Sequence, residues 1–131
     1  MIKGIGIDTI AINRFSHWLT TPDAILARIL SHEEITYCKS NPTLSAERFA
    51  SRFASREAFF KAYCATGAPY IPFLAICRAI IIINGPYNEP RIAFTSTLKA
   101  TLIQQHLPTL QSHLSITHTK TDATALVIIA Q

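Results

Sequence analysis

The chain opens on alternation. Across residues 2–12, Ile5 and Ile7 point one way while Gly4, Gly6 and Asp8 share the other side, which predicts a strand that Ile10 and Ile12 extend. Asn13 is placed to cap a short helix reaching Trp18 and Leu19. Thr21-Pro22-Asp23 sets proline at the first helical position ahead of the apolar run ILARIL. Ser31-His32-Glu33-Glu34 has capping-box spacing and starts another short helix to Cys38, which Asn41-Pro42 ends. Further on, Gly67 to Pro72 reads as a loop and Leu74 to Ile83 as a buried strand. Asn84-Gly85-Pro86 opens a turn that closes at Pro90, and Arg91 to Phe94 returns as a strand. Residues 96–107 carry Leu98, Leu102 and Ile103 at helical spacing up to Pro108. Leu114 to Thr119 alternates again, Lys120-Thr121-Asp122 turns, and Ala123 to Ile129 ends the pattern as a strand. The order of strand, helices, hairpin, helix, hairpin predicts an α+β fold with a largely antiparallel sheet, in one domain over residues 1–131.

The longest element is the helix over residues 45–64, SAERFASRFASREAFFKAYC. At 100° per residue, Phe49, Phe53, Phe60, Ala50, Ala54, Ala58 and Ala62 sweep out a broad apolar sector. Arg48, Arg52 and Arg56 form an i,i+4 row that, with Ser51 and Ser55, makes the expected polar side. Glu57 and Lys61 break the pattern, because they fall within the apolar sector. Charges held against a packed face must be paired or bind something. An i,i+4 Glu–Lys pair and a ligand site are both consistent with this segment taken alone.

Composition narrows the class. Hydrophobic residues make up 49 % of the chain and charged residues 15 %, which excludes disorder and predicts surface hidden in an oligomer. The net charge of +4 is modest, but four of the twelve basic residues lie between Arg48 and Lys61, and that clustering suggests a phosphorylated or acidic partner. A nucleic-acid surface would interleave exposed aromatics with that charge, whereas these aromatics lie in the apolar sector. Cys38, Cys64 and Cys77 are odd in number and lack CxxC spacing, which argues against a disulfide framework or a zinc site. Asp8 stands where the apolar core of a secretory signal would run, and the aliphatic run Ala79 to Ile83 is too short for a membrane span. A soluble cytoplasmic protein is expected, with no membrane partner.

Candidate chemistry lies at three places. Asp8 ends a strand face whose other positions are glycine, and glycine on a strand often marks close approach of a ligand or another backbone. Its carboxylate could hold a divalent cation or cap the following turn. The arginine row has no interleaved acid, and arginine suits bidentate phosphate recognition, although a solvated face is the more ordinary fate of such a row. His118 shares a strand face with Leu114 and Ile116, as a satisfied core or interface histidine also would. His17, His32, His106 and His113 show no metal-ligand spacing.

Taken together, these segments resemble the holo-acyl-carrier-protein synthases, the small trimeric 4′-phosphopantetheinyl transferases. GIGID at 4–8 with Asn13-Arg14-Phe15 resembles that family's opening strand and helix. RFASREAFFKA at 52–62 is similar to its F-A-x-K-E-A-x-x-K-A motif, and SITHTKTDATALVII at 115–129 to its closing hairpin. The resemblance implies that Asp8 and Glu57 hold Mg²⁺ with the pyrophosphate of coenzyme A, and that Lys61 contacts the transferring phosphate. It puts His118 in the coenzyme pocket, between neighbouring subunits of a homotrimer. The basic row of Arg48, Arg52 and Arg56, Arg52 foremost, would face the 3′-phosphate. Arg14, Trp18 and Arg28 would meet an apo acyl carrier protein. Three departures stand out: Arg56 where the family usually has lysine, Thr117 where serine is common, and a turn at 63–67 one residue longer than usual. A nucleic-acid-binding module and an inactive oligomeric scaffold are the rival readings.

Overall fold

A long central helix organises the molecule. The computed structural model describes residues 1–131 apart from His106. β1 (Ile2–Ala11) leads through a 3-10 segment (Ile12–Thr20) to α1 (Asp23–Leu26), α2 (His32–Lys39) and the central α3 (Ser45–Ala65). Then follow α4 (Phe73–Ala79), β2 (Ile80–Asn84), β3 (Pro90–Phe94), α5 (Ser96–Gln104), β4 (Gln111–His118) and β5 (Asp122–Ala130). β1, β5 and β4 form an antiparallel sheet in that order, while β2 and β3 make a separate hairpin. The architecture is α+β, as the element order predicts.

α3 lies very close to the sheet because the strand beneath it is bare. A Cβ added at Gly6 would sit 1.9 Å from the Ala58 carbonyl oxygen, and one at Gly4 would sit 2.0 Å from that of Ala62. The glycine face thus receives a helix backbone, with alanines supplying the matching small surface. Ala123, Ala125, Val127 and Ile129 of β5 are buried beneath the same helix. On the opposite sheet face Ile2, Ile5 and Ile7 are each more than half exposed.

Four sequence expectations are corrected. Leu74 to Ile83 is not one strand: residues 73–79 are helical behind Pro72, and only Ile80 onward is extended. A short apolar run has no period that separates buried helix from buried strand, and here Ile76 and Ile80 are both buried across the junction. The 3-10 segment starts with Ala11 at its cap position and has no side-chain cap, so Asn13 does not serve there. Ile103 of α5 is exposed, and the expected extension of that helix includes His106, which lies outside the described residues. The fourth correction concerns the polar side of α3. Ser51, Arg52, Ser55 and Arg56 are all buried, because α2, α4 and β2 cover the flank that the pattern assigned to solvent.

That covered flank is built around one ion pair. Glu34 occupies the third position of α2, where its carboxylate completes the capping box by accepting from the Ser31 backbone N–H at 2.9 Å. The same carboxylate takes two hydrogen bonds from Arg56, at 2.9 and 2.7 Å, and one from the Ile82 N–H at 3.0 Å. Arg56 also donates to the carbonyls of Cys77 and Ile80. α2, α3, the end of α4 and β2 therefore meet at one fully satisfied charge pair.

Candidate active site

Asp8, Glu57 and Lys61 come together because the glycine face draws α3 onto β1. Lys61 Nζ donates to the Ile7 carbonyl at 3.0 Å and to Asp8 Oδ1 at 3.3 Å. Of the two readings left open for Glu57 and Lys61, the helix pair does not form: the ion-pair partner of Lys61 is Asp8, not Glu57. Lys61 is exposed, not embedded in an apolar row, and its side chain keeps 51 % of its surface while Asp8 keeps 17 %. Glu57 is half-buried, and burial followed by the neighbouring Asp8 charge pushes its carboxyl above the usual carboxylate range. The cations of Lys61 and Arg14 act in the opposite direction.

Two carboxylates from different elements, repelling each other beside one exposed ammonium, suit a hard divalent cation and an anionic ligand. Among the described residues no group of three or more His, Cys, Asp or Glu side chains could hold a metal. A cation here would complete its coordination with water and substrate oxygens, which fits Mg²⁺ better than a metal needing an all-protein cage.

The arginine row divides into unlike parts. Arg56 spends its donors on Glu34 and on carbonyls and is fully buried, so the expectation that it contacts coenzyme A is corrected. Arg48 donates to the Tyr37 carbonyl and to Ser40 Oγ, with its guanidinium carbon 4.1 Å from the Tyr37 ring centroid. Arg52 lies 4.5 Å from the same centroid and is buried, yet its Nε has no hydrogen-bond partner. It lines a cavity of about 390 Å³ with Glu33, Glu34, Tyr37 and the strand residues Ile81 to Asn84. This burial also removes the exposed arginine stripe that a nucleic-acid surface would need.

His118 is neither a core residue nor a neighbour of Glu57 within the chain. Its Nε2 lies 3.1 Å from Glu47 Oε1, in the first turn of α3. Glu47 precedes Glu57 by ten residues, about 15 Å along a helix. Arg14 and Arg28 are exposed, while Trp18 is half-buried against Phe15, Phe49 and Phe53. Sequence reasoning missed Glu34, Tyr37 and Glu47 as partners of the basic side chains. Glu34 alone left a signal, because its capping box fixes it at the start of α2, but nothing local points from there to Arg56.

The profile of the 4′-phosphopantetheinyl transferase superfamily matches residues 4–125. The holo-[acyl-carrier-protein] synthase of Treponema denticola is 35 % identical over 129 residues, covering 98 % of each chain. Among solved structures, the Neisseria meningitidis synthase covers both chains completely with a TM-score of 0.78 at 26 % identity. The Bacillus anthracis synthase, solved in complex with CoA (3′,5′-ADP), is 31 % identical with a TM-score of 0.70, covering 98 % of this chain and 96 % of its own. Fold, order of motifs and near-complete coverage agree, and the chain belongs to the holo-[acyl-carrier-protein] synthase enzymes of the 4′-phosphopantetheinyl transferase superfamily.

Proposed function

We propose that this chain moves the 4′-phosphopantetheine group of coenzyme A onto a serine of an apo acyl carrier protein in a Mg²⁺-dependent reaction. The products would be holo acyl carrier protein and adenosine 3′,5′-bisphosphate, and the pathway served would be fatty acid biosynthesis. The observation that carries this reading is the meeting of Asp8, Glu57 and Lys61 across β1 and α3. Phosphoryl transfer needs charge neutralised on phosphate oxygens and a nucleophile held in line, more than it needs covalent help.

In the transfer, the serine oxygen attacks the phosphorus that bears the pantetheine arm, and the bond to the bridging pyrophosphate oxygen breaks. Asp8 and Glu57 would hold Mg²⁺, which when bound neutralises pyrophosphate charge. Lys61, exposed and anchored by the Ile7 carbonyl, would contact the transferring phosphate. Glu57 or a water beside it would receive the serine proton. Arg52, buried with an unsatisfied Nε at the 390 Å³ cavity, would take the 3′-phosphate, with Arg48 beside it over the same ring. Arg14, Trp18 and Arg28 form the carrier-protein face.

His118, on β4, is paired with Glu47 in the first turn of α3, ten residues before Glu57, so one chain does not bring the two together. Copies around a threefold axis would supply His118 from a neighbour, giving a homotrimer with shared sites. The decisive experiment is incubation with coenzyme A, Mg²⁺ and apo acyl carrier protein, followed by intact-protein mass spectrometry. One added phosphopantetheine and release of adenosine 3′,5′-bisphosphate are expected. No mass shift across several carrier proteins would overturn the reading and return the inactive scaffold.

A further inference from the structure

α4 begins beside the active site and ends beside Arg28. Its first residue, Phe73, packs at 6.0 Å on Phe53 and at 5.5 Å on Phe60, the aromatics that flank Glu57 along α3. Phe53 also touches Phe15 and Trp18 of the 3-10 segment, so the segment carrying Arg14 and α4 border the same aromatic floor. The next residue of α4, Leu74, is 59 % exposed, and one turn later Arg78 is exposed on the same side of the helix. Arg78 Nε donates to the Arg28 backbone carbonyl at 3.1 Å, which fixes the two arginines side by side. Ile25, one turn before Arg28, is also exposed.

Among the described residues, Arg14, Arg28 and Arg78 have no ion-pair partner. Asp23 and Glu33 are equally near Arg28 in sequence, and Asp23 is taken by Lys39 at 2.6 Å. An exposed surface with two adjacent unpaired arginines and two bare aliphatic side chains complements an acidic amphipathic helix. Salt-screened surface charge of this kind acts on encounter and partner choice more than on tight affinity.

We infer that α4 is a second docking element for the acidic carrier protein, with Arg78 and Leu74 extending the face begun by Arg14 and Arg28. The inference rests on the proposed transfer reaction for its partner and adds the surface that selects it. Arg78 would be paired with a carrier carboxylate, and Leu74 would meet an apolar side chain of the same helix.

The test compares Arg78→Ala, Arg78→Glu and Leu74→Asp with Lys99→Ala, which removes one exposed charge on α5. Arg78→Ala should raise the KM for apo carrier protein about two- to fivefold, with kcat and the KM for coenzyme A unchanged. Arg78→Glu should raise it on the order of tenfold, and the loss should shrink at high salt. Leu74→Asp leaves the Arg28 contact intact, so its expected loss of carrier affinity does not depend on Arg78 holding α4 in place. Binding of apo carrier protein by fluorescence anisotropy, without coenzyme A, separates the two readings. A wild-type chain that binds carrier but transfers nothing would overturn the reaction, and lost binding in the Arg78 and Leu74 variants would still support the surface. Carrier affinities matching those of Lys99→Ala in all three variants would overturn the surface and leave the reaction standing.

Discussion

Lys61 and Arg56 lie five residues apart on one helix and answer opposite questions about buried charge. The Lys61–Asp8 pair is half-exposed at 3.3 Å, so its worth to stability is at most about 1 kcal/mol. Lys61→Met should therefore melt close to wild type while kcat/KM falls on the order of 10²-fold, measured with apo carrier protein. Unchanged kinetics would make Lys61 a structural residue. Asp8→Asn and Glu57→Gln should likewise retain the fold and lose most turnover, and near-normal rates at limiting Mg²⁺ would remove either from the metal site. The Glu34–Arg56 pair behaves otherwise, because breaking a buried pair strands the surviving charge at a cost of about 3–5 kcal/mol. Burial alone would raise the Glu34 carboxyl, but Arg56 and the backbone donors of Ser31 and Ile82 outweigh it and hold it below the usual range. A carboxyl depressed on folding stabilises the native state above its unfolded pKa, and that stabilisation is lost as pH falls through the folded value. Thermal melts should thus decline below the ordinary glutamate range, about pH 4.3, and Glu34→Gln should start less stable but decline less steeply. An equal decline in that variant would show that other carboxylates govern acid unfolding.

At the scale of elements, β1 and α3 determine whether the site exists. Gly6→Ala would drive a Cβ into the Ala58 carbonyl, so the helix must shift or the strand must bend. A cost of about 1–3 kcal/mol is expected from such overpacking, with activity falling further because Lys61 and Glu57 ride on the displaced helix. Near-wild-type melting and turnover would show that the glycine face is slack. The meeting of these elements was partly legible beforehand. Alternation exposed β1 and β4, the capping box set the start of α2, and period placed α3 within a residue of its observed end. The glycines at 4 and 6 marked a close approach, although the visitor is a helix backbone. What failed was anything decided by a third element. α2, α4 and β2 bury the arginine flank of α3, and no periodicity within α3 records them. Leu74 to Ile83 failed for a related reason, since a run buried as helix and then as strand carries one continuous apolar signal. Asp8, Glu57 and Lys61 stood out as charges at odds with their local pattern, whereas Glu47 and Tyr37 conformed to theirs and stayed hidden.

For the molecule as a whole, the outer sheet face is the unfinished surface. Ile5 pairs in register with Ile128 and Ile7 with Leu126, so aliphatic side chains from two strands line up opposite α3. Ile2, Ile5 and Ile7 each keep more than half their surface exposed, and among the described residues no element covers them. A contiguous apolar patch of this kind marks an interface, and identical copies in closed symmetry would cover it without leaving an open edge. The expected state is a trimer whose association changes little with salt, because its contacts are apolar and not ionic. Ile5→Asp puts a charge into that face without touching the glycine side of β1, so it should yield folded monomers by light scattering. Those monomers should be nearly inactive if His118 serves a neighbour's site. The geometry within one chain makes this dependence specific, since His118 is tied to Glu47 at the start of α3, a helical distance of about 15 Å from Glu57. Glu57→Gln and His118→Ala chains, each poor alone, should then regain part of the activity when unfolded together and reassembled. Only hybrid trimers place an intact Glu57 opposite an intact His118. Recovery absent despite demonstrated subunit mixing, or full activity in an Ile5→Asp monomer, would mean that each chain completes its own site.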